Sequence, residues 1–372
     1  MTVALFVMGT TASAQASSGY QSPANEAKSR DTTVTRTLGA FVDGYYAWDF
    51  DRPHTFDRLY TTQPARHGEF NINLAYLEAK VAGPRYRGRL AVQYGTSVQA
   101  NYAGEPRVGV VSGPGVSQFI QEAVAGYQLG PTLWLDGGIF FAHLGYESWI
   151  SRDNLTYTRS MVADFSPYYE AGAKLTWTAS PRFTGTAAIV NGWQNIAAEN
   201  STPAGGIRLD YKPTSEITLT YDNFIGNSAP DSIPERTRLY HDVVAQYNPD
   251  SSWQFAAVYS IGSQSRSTPS NGTASWWGMT SIGKYRATST LSLVGRFEVF
   301  RDPSQVLVVT GLPRSFQTTA ASLGIDVAFA GPLLWRTEGR YYWSRYDVWP
   351  LHSVSHFGSN DSFIVTSLAL TF

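Results

Sequence analysis

The chain has 372 residues, of which 15% are charged and 14% aromatic, with a formal net charge of −1 and no cysteine. Soluble domains carry about 25% charged residues, so this chain is poor in charge, and its near-neutrality excludes a polyanion partner such as nucleic acid. The lack of cysteine excludes disulfide frameworks and thiolate metal sites.

At the N-terminus an apolar run, Val3 to Met8, leads into Ala12-Ser13-Ala14, the small-x-small pattern of a secretory cleavage site. Residues 1–14 are read as a signal peptide. Its start is truncated or misassigned, because no basic residue precedes Lys28. The polar stretch 15–35 is expected to be a flexible segment, and residues 36–372 a single β-barrel. No apolar run reaches the roughly 18 residues a membrane-crossing helix needs.

From Thr35 onward, apolar and polar residues alternate with period two between turn signals. In "TLSLVGRFEVF" (290–300), Leu291, Leu293, Gly295, Phe297 and Val299 share one face while Arg296 and Glu298 take the other. A strand with such a pattern has one apolar and one polar wall. About sixteen such segments occur, each near the length a tilted strand needs to cross a bilayer. They span 37–49, 68–82, 86–100, 118–129, 132–143, 168–178, 182–193, 204–212, 216–226, 237–247, 252–262, 275–285, 289–300, 316–329, 333–345 and 362–372. Short turns such as "GPR" (83–85) and "GP" (130–131) alternate with long connections such as 50–67, 101–117 and 144–167. The pattern predicts an all-β fold: a transmembrane antiparallel up-and-down β-barrel with short periplasmic turns and longer extracellular loops.

Tyr86, Tyr127, Trp177, Tyr211, Tyr247, Trp253, Tyr285 and Trp335 lie beside short turns, as an interfacial aromatic girdle requires. Ile364, Thr366, Leu368, Leu370 and Phe372 form the outward phase of a closing strand, which must pair with the first so that no edge is left in lipid. Two places break the pattern. The phase slips around "AYLEAKV", where a bulge is expected, and His241 and Asn223 fall on the apolar phase.

Several stretches resemble the β-barrel porin-2 (OmpL-like) family of bacterial outer-membrane proteins: "GAFVDGYYAWDFDRP" (39–53), "RHGEFNINLAYLEAKV" (66–81), "QANYAGEP" (99–106), 133–175 and "IVNGWQNI" (189–196). The resemblance implies a bacterial outer-membrane channel and brings no catalytic or ligand residues with it. Phe372 also resembles the terminal aromatic by which the barrel-assembly machinery recognises such proteins.

The polar phase then faces the lumen. It holds Asp43, Arg87, Arg89, Gln93, Glu122, Asp136, Glu170, Lys174, Arg208, Asp210, Asp222, Asp242, Arg296, Glu298, Asp326, Arg336, Glu338 and Arg340. In a barrel this wide they would line water; the alternative is that they pair and stiffen the wall. The connection 144–167 mixes apolar anchors (Trp149, Ile150, Met161, Phe165) with Glu147, Arg152, Asp153, Arg159 and Asp164. Two arrangements are expected for it: folded inward as a constriction, its charges facing water, or held at the surface and packed against its neighbours.

Motifs of hydrolases, metalloproteases and phosphate-binding loops are absent, so no enzyme and no cofactor or metal is expected. His352 and His356 have i, i+4 spacing in a loop, where that spacing aligns nothing. The leading expectation is passive diffusion of small hydrophilic solutes through a barrel surrounded by outer-membrane lipid. The alternatives are a sugar- or peptide-selective channel lined by Tyr45 or Phe140, and a plugged barrel acting as a surface scaffold or adhesin. A homotrimer is left open.

Overall fold

The computed structural model describes residues 33–266, 272–329, 331–352 and 356–372. The expected signal peptide and most of the segment 15–35 lie outside the described residues. Sixteen strands form the wall: β1 (Thr35–Asp49), β2 (Phe70–Ala82), β3 (Tyr86–Tyr94), β4 (Ile120–Gly130), β5 (Leu133–Phe141), β6 (Tyr169–Ser180), β7 (Phe183–Val190) and β8 (Ala204–Tyr211) are followed by β9 (Ile217–Asn227), β10 (Thr237–Tyr247), β11 (Trp253–Ser265), β12 (Thr273–Arg286), β13 (Leu291–Asp302), β14 (Phe316–Ala328), β15 (Leu333–Ser344) and β16 (Asn360–Thr371). Each pairs antiparallel with its sequence neighbour, and β16 returns to β1, from Phe41 opposite Thr371 to Asp49 opposite Phe363. Closure satisfies every backbone edge, the condition for strands in lipid. Among the described residues no helix is long and apolar enough to cross a membrane.

The period-two pattern becomes a period-two burial. Along β10 and β11, buried and exposed residues alternate almost without interruption. The eight aromatics beside the short turns, from Tyr86 to Trp335, are all exposed on the outer face. Phe372 donates its backbone N–H to Ala40 O at 2.8 Å, and its ring is 72% exposed outside the seam.

Of three local expectations, one changes, one moves and one stands. The segment expected as one strand over 86–100 ends at Tyr94. Gly95 has φ +146°, where any Cβ would lie 2.2 Å from Asn73 O, and Thr96–Tyr102 then winds into a short helix, α1. The phase slip in β2 falls at Asn73, which lies between the register pairs Asp43–Leu74 and Gly44–Ile72. Leu74 therefore points inward and is fully buried, and Tyr76 follows it. His241 and Asn223 do sit on the outer face. The Tyr221 hydroxyl lies 2.8 Å from His241 Nδ1 and accepts from Asn223 Nδ2, while Asn223 Oδ1 accepts the Ile207 N–H. Their polarity is met locally rather than by a shift of register.

Candidate functional site

The lumen is the site, and its wall is charged. The charged side chains expected on the inner phase all lie on the inner face of their strands, and nearly all are buried. They sort into paired groups. Arg87 donates from Nε and Nη2 to the two oxygens of Asp136 at 2.7 and 2.5 Å. Arg89 bridges Glu78 at 2.7 Å and also contacts Glu122. Gln93 donates to Gln118 O, and Lys174 Nζ sits 4.3 Å over the Phe140 ring. Arg208 joins Asp210 and Asp222 at 3.1 and 3.3 Å. Asp222 and Asp242 stand directly opposite each other on β9 and β10, and neither Asp242 oxygen has a hydrogen-bond partner among the described residues.

The connection between β5 and β6 enters this lumen and crosses it. At its root His143 Nδ1 lies 2.9 Å from Glu170 Oε2, Gly145 N donates to Asp222 Oδ2, and Arg208 donates to Gly145 O. Further on, Ser151 donates to Asp43 at 2.7 Å on β1. Arg336, held by Asp326, donates to Ser151 O and Leu155 O at 2.8 and 2.6 Å.

The tightest anchorage is against β13 and β15. Thr158 donates N–H and Oγ1 to the two oxygens of Glu338, at 2.8 and 2.9 Å. Arg296 donates to Thr156 Oγ1 and Thr158 O at 2.9 and 2.5 Å, and to Glu338 Oε1 at 3.0 Å. Arg340 donates to Arg159 O and to Glu298, which also accepts the Met161 N–H at 2.7 Å. Charge-assisted bonds of this kind are about twice as strong as neutral ones, and here each arginine binds backbone and carboxylate together.

The apolar anchors dock as expected. Trp149, Ile150 and Met161 are buried, and Phe165 packs on Phe300 and Phe316 with centroids 4.9 and 5.6 Å apart. The loop charges divide. Glu147, Arg159 and Asp164 do not face water. Glu147 accepts the Ser160 N–H at 3.1 Å and lies 3.8 Å from Arg296. Arg159 is fully buried, contacts Thr62 and reaches Asp164 at 3.3 Å. Burial pushes the carboxyl groups of Glu147 and Asp164 above their ordinary range, against the pull of Arg296 and Arg159. The reason is packing: Thr62 and Ser97, from the segments 50–69 and 95–119, fold in against Arg159 and Asp164, while Glu147 is closed in by Ser160 and Arg296. Arg152 and Asp153 alone of the loop charges reach an opening, a cleft of about 240 Å³ at the short-turn end. There Arg152 donates to Pro332 O and Thr371 Oγ1.

Several anchoring residues lay outside sequence reasoning. Arg58, in the first long connection, donates to Asp49 at 2.9 Å, reaches Asp361 at 3.5 Å and stacks 3.6 Å over Phe363. Tyr102 of α1 stacks on Tyr169 at 4.2 Å, and Glu105 accepts from the Tyr169 hydroxyl and from Ile196 and Ala197 N–H. Tyr45 and Phe140 do face inward, but both are buried, Tyr45 against Thr96. Among the described residues no group of three or more His, Cys, Asp or Glu is arranged to hold a metal ion.

A family model, beta-barrel porin-2, OmpL-like, matches residues 35–372. By sequence, no curated protein matches the chain. Among solved structures it is similar to the outer membrane channel DcaP of Acinetobacter baumannii, with 11% identity and a TM-score of 0.62 over 95% of this chain and 100% of that one. It is also similar to an anion-selective porin from Comamonas acidovorans, with 9% identity and a TM-score of 0.59 over 91% of this chain and 100% of that one. The trimer form of OmpT from Vibrio cholerae matches with 9% identity and a TM-score of 0.60, over 91% and 100%. At these identities the likeness is one of fold.

Proposed function

Given that the chain belongs to the β-barrel porin-2 (OmpL-like) family and is a bacterial outer-membrane porin, we propose that it passes small hydrophilic solutes by diffusion through a lumen narrowed by residues 144–167. The observation that carries this is the docking of Thr156, Thr158 and Met161 onto Arg296, Glu298, Glu338 and Arg340. A segment fixed by charged bonds inside a barrel sets the width left for solute. The wall residues from Asp43 to Arg340 act in this reading as paired supports first and as a field for permeant ions second. Because acids and bases neutralise one another locally, ion preference is weak.

The near-complete burial of those charges also favours a second reading, a barrel closed at rest that serves as a scaffold. Planar-bilayer recording separates the two. Steady ohmic steps from folded, heat-modifiable protein support the porin with an open path. Silence from the same protein means a closed barrel and overturns the diffusion reading.

The chain also fits a homotrimer. On β4 to β7 the outward side chains include Ala123, Ala125, Gly137, Ala173, Gly185 and Ala187, whereas β11 to β15 present Tyr259, Trp277, Phe297, Leu323 and Tyr341. These small residues sit between larger outward side chains such as Leu135, Leu175 and Ile189, and the lower relief there suits close approach of a second barrel better than the bulkier face of β11 to β15. A protomer mass by light scattering in mild detergent would overturn this. Recognition of β16 and Phe372 by the assembly machinery belongs to the same proposal.

A further inference from the structure

The upper outer wall over β12 to β15 carries charge where the rest of the belt is apolar. Register places Trp277 opposite Arg301 and Arg301 opposite Gln317, and Arg345 donates its N–H to Gln317 O at 2.9 Å. One outward row thus reads Trp277, Arg301, Gln317, Arg345. Two residues lower, Thr319 stands opposite Trp343. Trp277 and Trp343 are exposed on the outer face. Outward tryptophans at this height mark the headgroup level of a bilayer, so the two arginines sit at or just above it, on the long-loop side.

Arg301, Gln317, Thr319, Trp343, Ser344 and Arg345 line a cleft of about 350 Å³. Arg301 is fixed within it. Its Nη1 donates to Phe300 O and Thr318 O at 3.0 and 2.6 Å, and its Nη2 to Thr319 Oγ1 at 3.1 Å. A guanidinium has five N–H donors, so donors remain for a ligand. Arg345 is exposed and touches only the ring of Tyr346, at 5.5 Å, among its described charged and aromatic contacts.

The nearby acids are engaged elsewhere. Asp302 is fully buried and accepts the N–H groups of Val306, Leu307 and Val308. Asp347 pairs with Arg314 at 2.9 Å. Two guanidiniums with no carboxylate among the described residues that line the cleft, beside hydroxyl and amide groups in a concave site, suit a phosphate group. The flanking apolar belt supplies the surface that acyl chains would follow.

We propose that this cleft binds the phosphate of an outer-leaflet lipid headgroup, with Arg301 and Arg345 as its ligands and Trp343 packing beside it. The test is native mass spectrometry of the folded full-length protein with diphosphorylated lipid A, the same lipid stripped of its phosphates, and inorganic phosphate. Lipid A is expected to remain bound and the dephosphorylated lipid to dissociate. R301Q/R345Q should bind lipid A roughly 30-fold more weakly, from about one factor of five per arginine near a charged lipid surface. R301K/R345K should keep most of the binding, and R314Q, whose arginine already has Asp347, all of it. Equal retention of lipid A by R301Q/R345Q would overturn the proposal, as would equal retention of the dephosphorylated lipid. Binding of inorganic phosphate without lipid A would overturn the lipid assignment in favour of a free-anion site. Heat-modifiable gel mobility checks that each variant is folded, and the lysine pair keeps the test decisive if the glutamine pair is not.

Discussion

Replacing Arg296 by methionine should release the inward segment while leaving the barrel closed. Among the described residues Arg296 is the one side chain that binds Thr156, Thr158 and Glu338 together, and it lies 3.1 Å from Glu298 and 3.8 Å from Glu147. Without it, Glu298 keeps Arg340, while Glu147 and Glu338 lose the arginine they pair with. Removing one partner of a buried ion pair costs about 3–5 kcal/mol, and every 1.4 kcal/mol is about a factor of ten. The ratio of docked to undocked segment should therefore fall by roughly two to three and a half powers of ten. The ladder bonds of β13 with its neighbours are untouched, so the cost falls on docking rather than on the wall. Two assays read it. Single-channel steps should become larger and noisier, and trypsin should cut at Arg159, which is fully buried in the parent. R296M/E338M should restore much of the protection, because exchanging both members of a buried pair for apolar groups is often close to neutral. An R296M protein with parental conductance and an intact Arg159 bond would refute the reasoning.

Other substitutions probe separate parts. Asp242→Asn removes one of two opposed buried carboxylates and should stabilise the barrel by about 1 kcal/mol, raising the temperature at which the heat-modifiable band is lost; a lower temperature would count against it. Gly206→Ala would place a Cβ 2.0 Å from Asn223 O and 2.3 Å from His143 Nε2. It should cost about 1–3 kcal/mol by overpacking, measured by urea unfolding in detergent, whereas Gly104→Ala, with nothing within 4 Å, should be neutral. Deleting Phe372 removes an outward ring and one backbone bond to Ala40, so the folded barrel should lose about 1 kcal/mol. Its yield of membrane-assembled barrel should fall much more, and an unchanged yield would sink the proposed recognition of β16.

The wall was legible because each strand solves the same local problem. Arg208 and Asp210 against Ile207 and Leu209 state their faces without knowledge of any partner, and the alternation of short and long connections orders the strands. Legibility failed where a distant group decides. Gly95 ends β3 because of the backbone of Asn73, and Leu74 turns inward because one residue bulges. The inward segment shows the same limit. Its apolar anchors could be named from composition, but whether Arg159 and Asp164 met water depended on Thr62 and Ser97 folding in, and whether Glu147 did depended on Arg296 in the far wall. Arg58 gave no signal at all, since Asp361 lies 303 residues away.

The anchors of the inward segment have an order in time. Met161 waits on Glu298, 137 residues later in the chain, and the Arg159 carbonyl waits on Arg340, 181 residues later. Both partners, the Glu298 acceptor and the Arg340 donor, lie in the last third of the chain, so neither contact can form before that part of the wall is in place. If diffusion runs through the space this segment narrows, a copy whose ring has closed before the segment docks would be a wider hole than a finished one, for as long as a loop of about two dozen residues takes to find its seat.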